Sequence, residues 1–189
     1  MKQFKFVFST IALLALFSLN SAFTSKTIAT KEWTATNADI RFSIKNAGFS
    51  TKGTLSSLSA RIAFNPSALQ GSVIDAYVLS NTINTENGMR DNHLRKPEYF
   101  DVAKFDKISL KATSFTKEGD GSFKGAFKLT IKGVTKDVTI PFTFVENGDK
   151  ATIKGSFSIN RLDYGVGGTS MTLSNDLTIS LNVGLSLKK

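Results

Sequence analysis

From Trp33 onward the chain alternates apolar and polar residues with a period of two. Ile40, Phe42 and Ile44 are separated by Arg41 and Ser43, and Leu58, Ala60, Ile62 and Phe64 by Ser59, Arg61 and Ala63. The same rhythm runs through Ile108, Leu110 and Ala112, and through Phe123, Phe127, Leu129 and Ile131 with Gly125 in phase. It continues in Val138, Ile140, Phe142 and Phe144, in Ile153, Phe157 and Ile159, and from Leu177 to Leu187. Such alternation puts one side of each strand in a core and the other in water, the signature of an antiparallel sheet. With the stretch Ser72 to Ser80 included, about eight strands are expected. Turn residues punctuate them at Asn65-Pro66, Gly119-Asp120-Gly121, Gly133 and Asn147-Gly148-Asp149. Long strands with one apolar side cannot remain an open sheet without exposing that side and two edges. A closed barrel removes the edges, while a two-sheet sandwich satisfies the same alternation.

Two segments break the rhythm. Glu86 to Phe100 is dense in charge and lacks alternation. Glu86 to Lys96 predicts about three helical turns stopped by Pro97, with Met89 and His93 on one face. This insert, around residues 86–97, is expected across a barrel mouth or against one side of the sheet. At the other extreme, Lys2 and Lys5 precede an apolar run from Phe6 to Leu19, followed by small Ser21 and Ala22. That pattern is a secretory signal over residues 1–22, cleaved near Ala22. The run is shorter than the ~20 residues of a membrane span. Residues 23–32 are expected as an exposed arm, 33–189 as one domain, and the mature protein in the periplasm or secreted.

Composition narrows the chemistry. The 189 residues include no cysteine and one histidine, His93. Disulfides, a thiol nucleophile, Cys-based metal sites and any site needing two imidazoles are therefore excluded. The formal net charge of +9 falls by two when Lys2 and Lys5 leave with the signal. This moderate excess fits a solvated surface or transient contact with an anionic membrane surface. The Lys124, Lys128, Lys132 and Lys136 series lacks interleaved aromatics, so single-stranded nucleic acid is not an expected partner.

The inward side is the most informative feature. By parity it carries Phe42, Ile44, Phe64, Ile108, Leu110, Phe127, Leu129, Phe142, Phe144, Phe157, Ile179 and Leu181. Such a lining either packs solid or surrounds an apolar ligand. Polar groups that would orient a substrate for reaction are scarce on it, which favours carrying a ligand over transforming it. No metal or catalytic site is expected. Arg90, Asp91 and His93 form the sharpest polar cluster, as a head-group contact or as a structural clasp for the insert. Arg161 and Asp163, before the glycines 165, 167 and 168, are a second candidate for a head-group contact or a structural clasp, here a pair fixing a loop.

Three motifs resemble one family. Arg90-Asp91-Asn92-His93-Leu94 followed by Glu98-Tyr99-Phe100-Asp101, the turn Leu129 to Lys136 (LTIKGVTK), and Asn160 to Val166 (NRLDYGV) appear in the order found in YceI-like proteins. The resemblance spans about Trp33 to Lys188. Where many members carry a His-Ser pair before the first strand, this chain has Asn37-Ala38-Asp39. Where many end that strand in His, it has Lys45-Asn46. The resemblance implies an all-β fold, an eight-stranded antiparallel lipocalin-like barrel with an apolar tunnel. It also implies a non-catalytic, exported protein that sequesters or transports a polyisoprenoid such as a prenyl quinone or prenyl phosphate, with no cofactor required. The alternative is a packed barrel acting as a periplasmic scaffold or stress-related interaction module.

Overall fold

The computed structural model describes residues 31–189. The expected signal and all but the end of the arm lie outside the described residues. Glu32, assigned to that arm, already belongs to the first strand. The strands are β1 (Glu32–Asn46), β2 (Phe49–Leu55), β3 (Ser59–Ala63), β4 (Val73–Leu79), β5 (Lys107–Gly119), β6 (Ser122–Ile131), β7 (Val134–Asn147), β8 (Lys150–Asn160) and β9 (Leu173–Leu187). Each pairs antiparallel with its neighbour, and β1 closes the sheet on β9. β2 and β3 face β1 in one register, as the pairs Ile40↔Leu55 and Trp33↔Ile62 show. They are two halves of one wall strand, broken at Ser56 to Leu58, and the closed barrel has eight strands.

Three irregularities flip the inward parity along single strands. β1 shifts register against β9 between Ala35 and Asn37, so Trp33 and Ala35 point inward at odd numbers and Ile40, Phe42 and Ile44 at even ones. The break after Leu55, where Ser57 has φ 60°, does the same between Leu55 and Leu58. β5 shifts between Ala112 and Ser114, which turns Phe115 into the barrel. Bulges of this kind add one residue to one strand and reverse which side its later residues face. Period-two counting cannot place them.

The insert holds a helix, α1 (Gly88–Leu94). It is shorter than the expected Glu86 to Lys96 because both ends are set locally. The Asn87 side chain accepts a hydrogen bond from the Arg90 N–H, as an N-cap does, while Glu86 before it has φ 60°. Arg95 closes the other end. Met89 and His93 share a face as expected, but both are exposed.

The barrel has two unlike ends. The plug end holds Lys31, the C-terminus, the β3–β4 loop and the tight β5–β6 and β7–β8 turns. The loop end holds the β1–β2 turn, the insert, the β6–β7 turn and the 161–172 loop. At the β6–β7 turn Lys132 and Gly133 have φ 49° and 76°, the left-handed pair that a two-residue hairpin demands. A Cβ on Gly133 would stand 2.7 Å from the Phe105 ring, so this turn packs against the segment between the insert and β5.

Candidate functional site

Phe64 fills the plug end at 0% exposure. Its ring meets Phe115, Phe123, Phe142 and Phe144 at centroid distances of 5.2, 5.1, 5.6 and 4.9 Å. Trp33 stacks edge-on to Phe144 at 5.6 Å and donates its indole N–H to the Phe64 carbonyl at 3.3 Å. This cluster seals one end of the barrel. Aromatic pairs at these separations prefer such tilted and edge-on arrangements.

Above the plug the barrel is hollow. The cavity measures about 160 Å3, close to the size of an engineered apolar cavity that takes up one benzene ring. Its lining is almost wholly apolar. Of the residues assigned inward from sequence, Phe42, Ile108, Leu110, Phe127, Leu129, Phe142, Phe157, Ile179 and Leu181 line it. Phe64, Phe144 and Ile44 do not. The first two belong to the plug, because Phe64 lies past the end of β3 and Phe144 near the end of β7. Ile44 sits on β1 towards the loop end. Ile40, Leu55, Leu58, Val78, Ile131, Ile159 and Leu177 also line it. Several of these share the alternation and could have been chosen from it; Leu55 could not, because the break after it hides its parity.

The polar cluster of the insert is a clasp. Asp91 is buried and accepts hydrogen bonds from the Thr85 N–H and hydroxyl at 2.9 and 2.5 Å. Arg90 donates to the Thr85 hydroxyl and carbonyl, both at 2.7 Å. Arg95, which sequence reading passed over, donates to the Asn81 and Ile83 carbonyls at 3.0 Å each. Every buried acceptor in this cluster is thus occupied by the chain itself. His93 points elsewhere, edge-on to Tyr99 at 4.9 Å, and is not joined to Asp91. The pair does not form an acid–base dyad.

The expected Arg161–Asp163 pair is not formed. Arg161 is buried and donates to the Ser174 and Val166 carbonyls at 2.9 Å and to the Asn175 side chain at 3.2 Å. Asp163 stays exposed. Three fixed acceptors at differing angles suit a forked guanidinium better than one exposed carboxylate. The neighbouring Tyr164 is buried, and burial raises its phenol above the ordinary value of 10.0, with the Asp163 charge adding to the shift. On the outer side, Lys128 pairs with Asp137 at 2.9 Å and Lys124 with Glu118 at 3.4 Å. Among the described residues no group of three or more His, Asp or Glu side chains could hold a metal ion.

A closed barrel with a sealed end, an apolar hollow and an insert clasped at the loop end is now defined from residue 32 to the C-terminus. The YceI-like domain family matches residues 32–185. The chain belongs to the YceI-like family. Among YceI-like relatives, Protein YceI of Salmonella arizonae is 32% identical over 135 residues, covering 71% of this chain and 69% of that one. A UPF0312 protein of Pseudomonas syringae is 28% identical over 174 residues, covering 87% of this chain and 90% of that one. The YceI protein of Campylobacter jejuni superposes with a TM-score of 0.63 at 28% identity, over 74% of this chain and 85% of that one. The fold is shared more widely. BcnA of Burkholderia cenocepacia gives a TM-score of 0.74 at 20% identity, over 78% and 95% of the two chains. A polyisoprenoid binding domain from Saccharophagus degradans gives 0.67 at 11% identity, over 85% and 99%.

Proposed function

We propose that this YceI-like protein binds the apolar tail of a polyisoprenoid, such as a prenyl quinone or prenyl phosphate, inside its barrel, and sequesters or transports it without catalysis. The observation that carries this reading is the hollow, an apolar cavity left open in a barrel that is otherwise packed solid at one end. The polyisoprenoid binding domain of Saccharophagus degradans, alike in fold, supports the ligand class. Burial of the tail drives binding, at roughly 25 cal/mol per Å2 of apolar area. The hollow as it stands has room for a benzene-sized group, so a long tail widens it or extends beyond it. The polar clusters around it hold the fold rather than face the cavity, which supports carriage over chemistry.

Residues 1–22 are the proposed export signal, and exchange of lipid at a membrane surface is the proposed partner contact. The exposed Phe49 and Met171 at the loop end favour such contact. A second reading, a packed scaffold or stress-related interaction module, draws on the solid aromatic plug. Organic extraction of protein purified from its native host, followed by mass spectrometry, tests between them. A near-stoichiometric polyprenyl lipid is expected. An empty extract, together with no uptake of added prenyl quinone, would overturn the lipid reading and leave the scaffold. Amino-terminal sequencing of the same preparation should begin near residue 23 if export and cleavage occur.

A further inference from the structure

The hollow has a thin wall. On one edge β2 is bonded to β1 from Ile40↔Leu55 to Asn46↔Phe49. On its other edge it meets the segment after β4 at a single bridge, Thr54↔Asn84, with N–H···O distances of 2.8 and 3.1 Å. The Thr82 hydroxyl adds one link, accepting from the Ser56 N–H at 3.0 Å, while its own proton faces the Leu79 carbonyl at 2.6 Å and the Ser56 carbonyl at 3.2 Å. Beyond Thr54, towards the β1–β2 turn, no further backbone bond closes this seam among the described residues. The seam is therefore a slit open at one end. Other stretches of the wall also lack pairing among the described residues. Between β1 and β3 a window is closed at both ends by the pairs Trp33↔Ile62 and Ile40↔Leu55. Between β7 and β8 the ladder runs only from Asn147↔Lys150 to Phe142↔Gly155, and the strands part from Pro141 towards the loop end.

Two spaces meet at this slit. Arg41 and Phe42 line both the apolar hollow and a polar recess of about 360 Å3. Lys52 and Thr54 wall the recess from β2, and Asn84 and Glu86 from across the seam. The Phe42 ring lies against Gly53 of the adjacent strand. A Cβ on Gly53 would stand 2.3 Å from the Phe42 Cζ, so this ring position requires glycine there. Arg41 is held by Asp39 at 2.7 and 2.8 Å, whereas Lys52 forms no ion pair among the described residues.

We infer that the seam between β2 and the 83–86 segment is the portal through which a single-tailed lipid loads, its tail passing inward at Phe42 and its polar head staying in the recess beside Lys52. The inference rests on the lipid-binding reading above. A tail longer than the resting hollow enters where the pairing of the wall is thin and where a polar recess can hold its head. Opening this seam breaks the two backbone bonds of one bridge. Opening β8 from β9 would disrupt a ladder of eleven residue pairs. The loop-end half of the β7–β8 seam is unpaired too, but no residue of β7 or β8 lines the polar recess. The moving side is β2, because the far side is anchored: Arg90, Asp91 and Arg95 bond residues 81, 83 and 85 to α1. The head-group class follows from the donors in the recess. Lys52 offers three N–H groups, and Ser43, Thr54, Thr178 and Ser180 offer hydroxyls; these donors outnumber the one carboxylate on the wall, Glu86, so an oxygen-rich acceptor such as a phosphate fits better than a cation.

The chain has no cysteine, so Thr54→Cys with Asn84→Cys introduces a single crosslink. Directly paired antiparallel residues stand about 5.5 Å apart at Cα, inside the range a disulfide spans. Uptake of geranylgeraniol by the full-length processed protein is measured by mass spectrometry against time. The oxidised variant is expected to lose uptake and the reduced variant to recover it. Equal uptake by both would overturn the portal, while failure of the unaltered protein to take up the lipid would overturn the binding reading itself. Thr82→Ala, which removes the side-chain link without a crosslink, is expected to load faster with the same final amount bound; an unchanged rate counts against the seam. Lys52→Gln tests the head. The unaltered protein should prefer geranylgeranyl phosphate over geranylgeraniol and the variant should lose that preference. No preference in the unaltered protein would overturn the recess as the head-group site.

Discussion

The two halves of this barrel are built from the same alternating pattern and end in opposite states. At the plug end, Phe123, Phe142 and Phe144 meet around Phe64, with Trp33 against Phe144, and the exposure of these rings does not exceed 6%. At the middle and loop end, Phe42, Leu110, Ile179 and Leu181 point inward too, yet each keeps part of its surface open to the hollow. The difference is one of side-chain size and placement. Aromatic rings from β1, β5, β6 and β7, with Phe64 from beyond β3, reach the axis and meet there. Ile, Leu and Val from the same strands stop short of it. Close packing at one end fixes the barrel and leaves the other end free to yield to a ligand.

Substitutions can sharpen that contrast. The largest effect is expected at the plug. Phe64→Ala should lower stability by ~3–5 kcal/mol, the range for a large aromatic removed from a packed core. Well below the lowered Tm, the variant should still retain lipid. If lipid is lost in the folded variant, the two halves do not act separately. In the hollow the order of effects reverses. Ile179→Asp should cost about 3 kcal/mol through a carboxyl placed in apolar surroundings, or be protonated there, and it should expel the lipid. Thr178→Asp, one residue away on the exposed side, should stay within about 0.5 kcal/mol; on the wall of the recess, it should keep an uncharged lipid and weaken one with a phosphate head. Melting curves and extracted lipid measured on both proteins check the register and the site together.

The clasp lies outside both halves. Arg90→Ala should cost ~1–3 kcal/mol, because Thr85 loses two charge-assisted bonds, with no change in which lipid is retained. Unchanged melting with abolished binding would place Arg90 at the ligand instead. The smallest expected effect is a pH dependence at the loop end. Folding raises the Tyr164 pKa above 10.0, so the folded state holds that proton more tightly than the unfolded one. Its contribution to stability is fully present below the unfolded value and is lost as pH rises through the folded one. Denaturant midpoints should therefore fall on the alkaline side of pH 10.0, and Tyr164→Phe should flatten that fall.

The alternation determined a great deal unaided. It is legible because each strand has one wet side and one dry side, a demand that acts residue by residue. Antiparallel pairing, the exposed lysines of β6 and the inward positions of β6 to β9 all follow from it. The insert was legible as a break in that rhythm, and its polar cluster as a clasp or a head-group contact. Tertiary structure supplied the partner of that cluster, Thr85, which accepts from Arg90 and donates to Asp91; nothing in the local sequence marks that threonine. It also decided where parity flips, at Thr36, at Ser56 to Leu58 and at Thr113, since a bulge depends on the partner strand's register. Above all it decided which inward residues meet and which leave a hollow. Phe64 and Phe42 are the same residue type on the same inward side. One is sealed among four rings and the other stands at a cavity wall, because burial depends on how far the opposite strands' side chains reach, a distance that no single strand encodes.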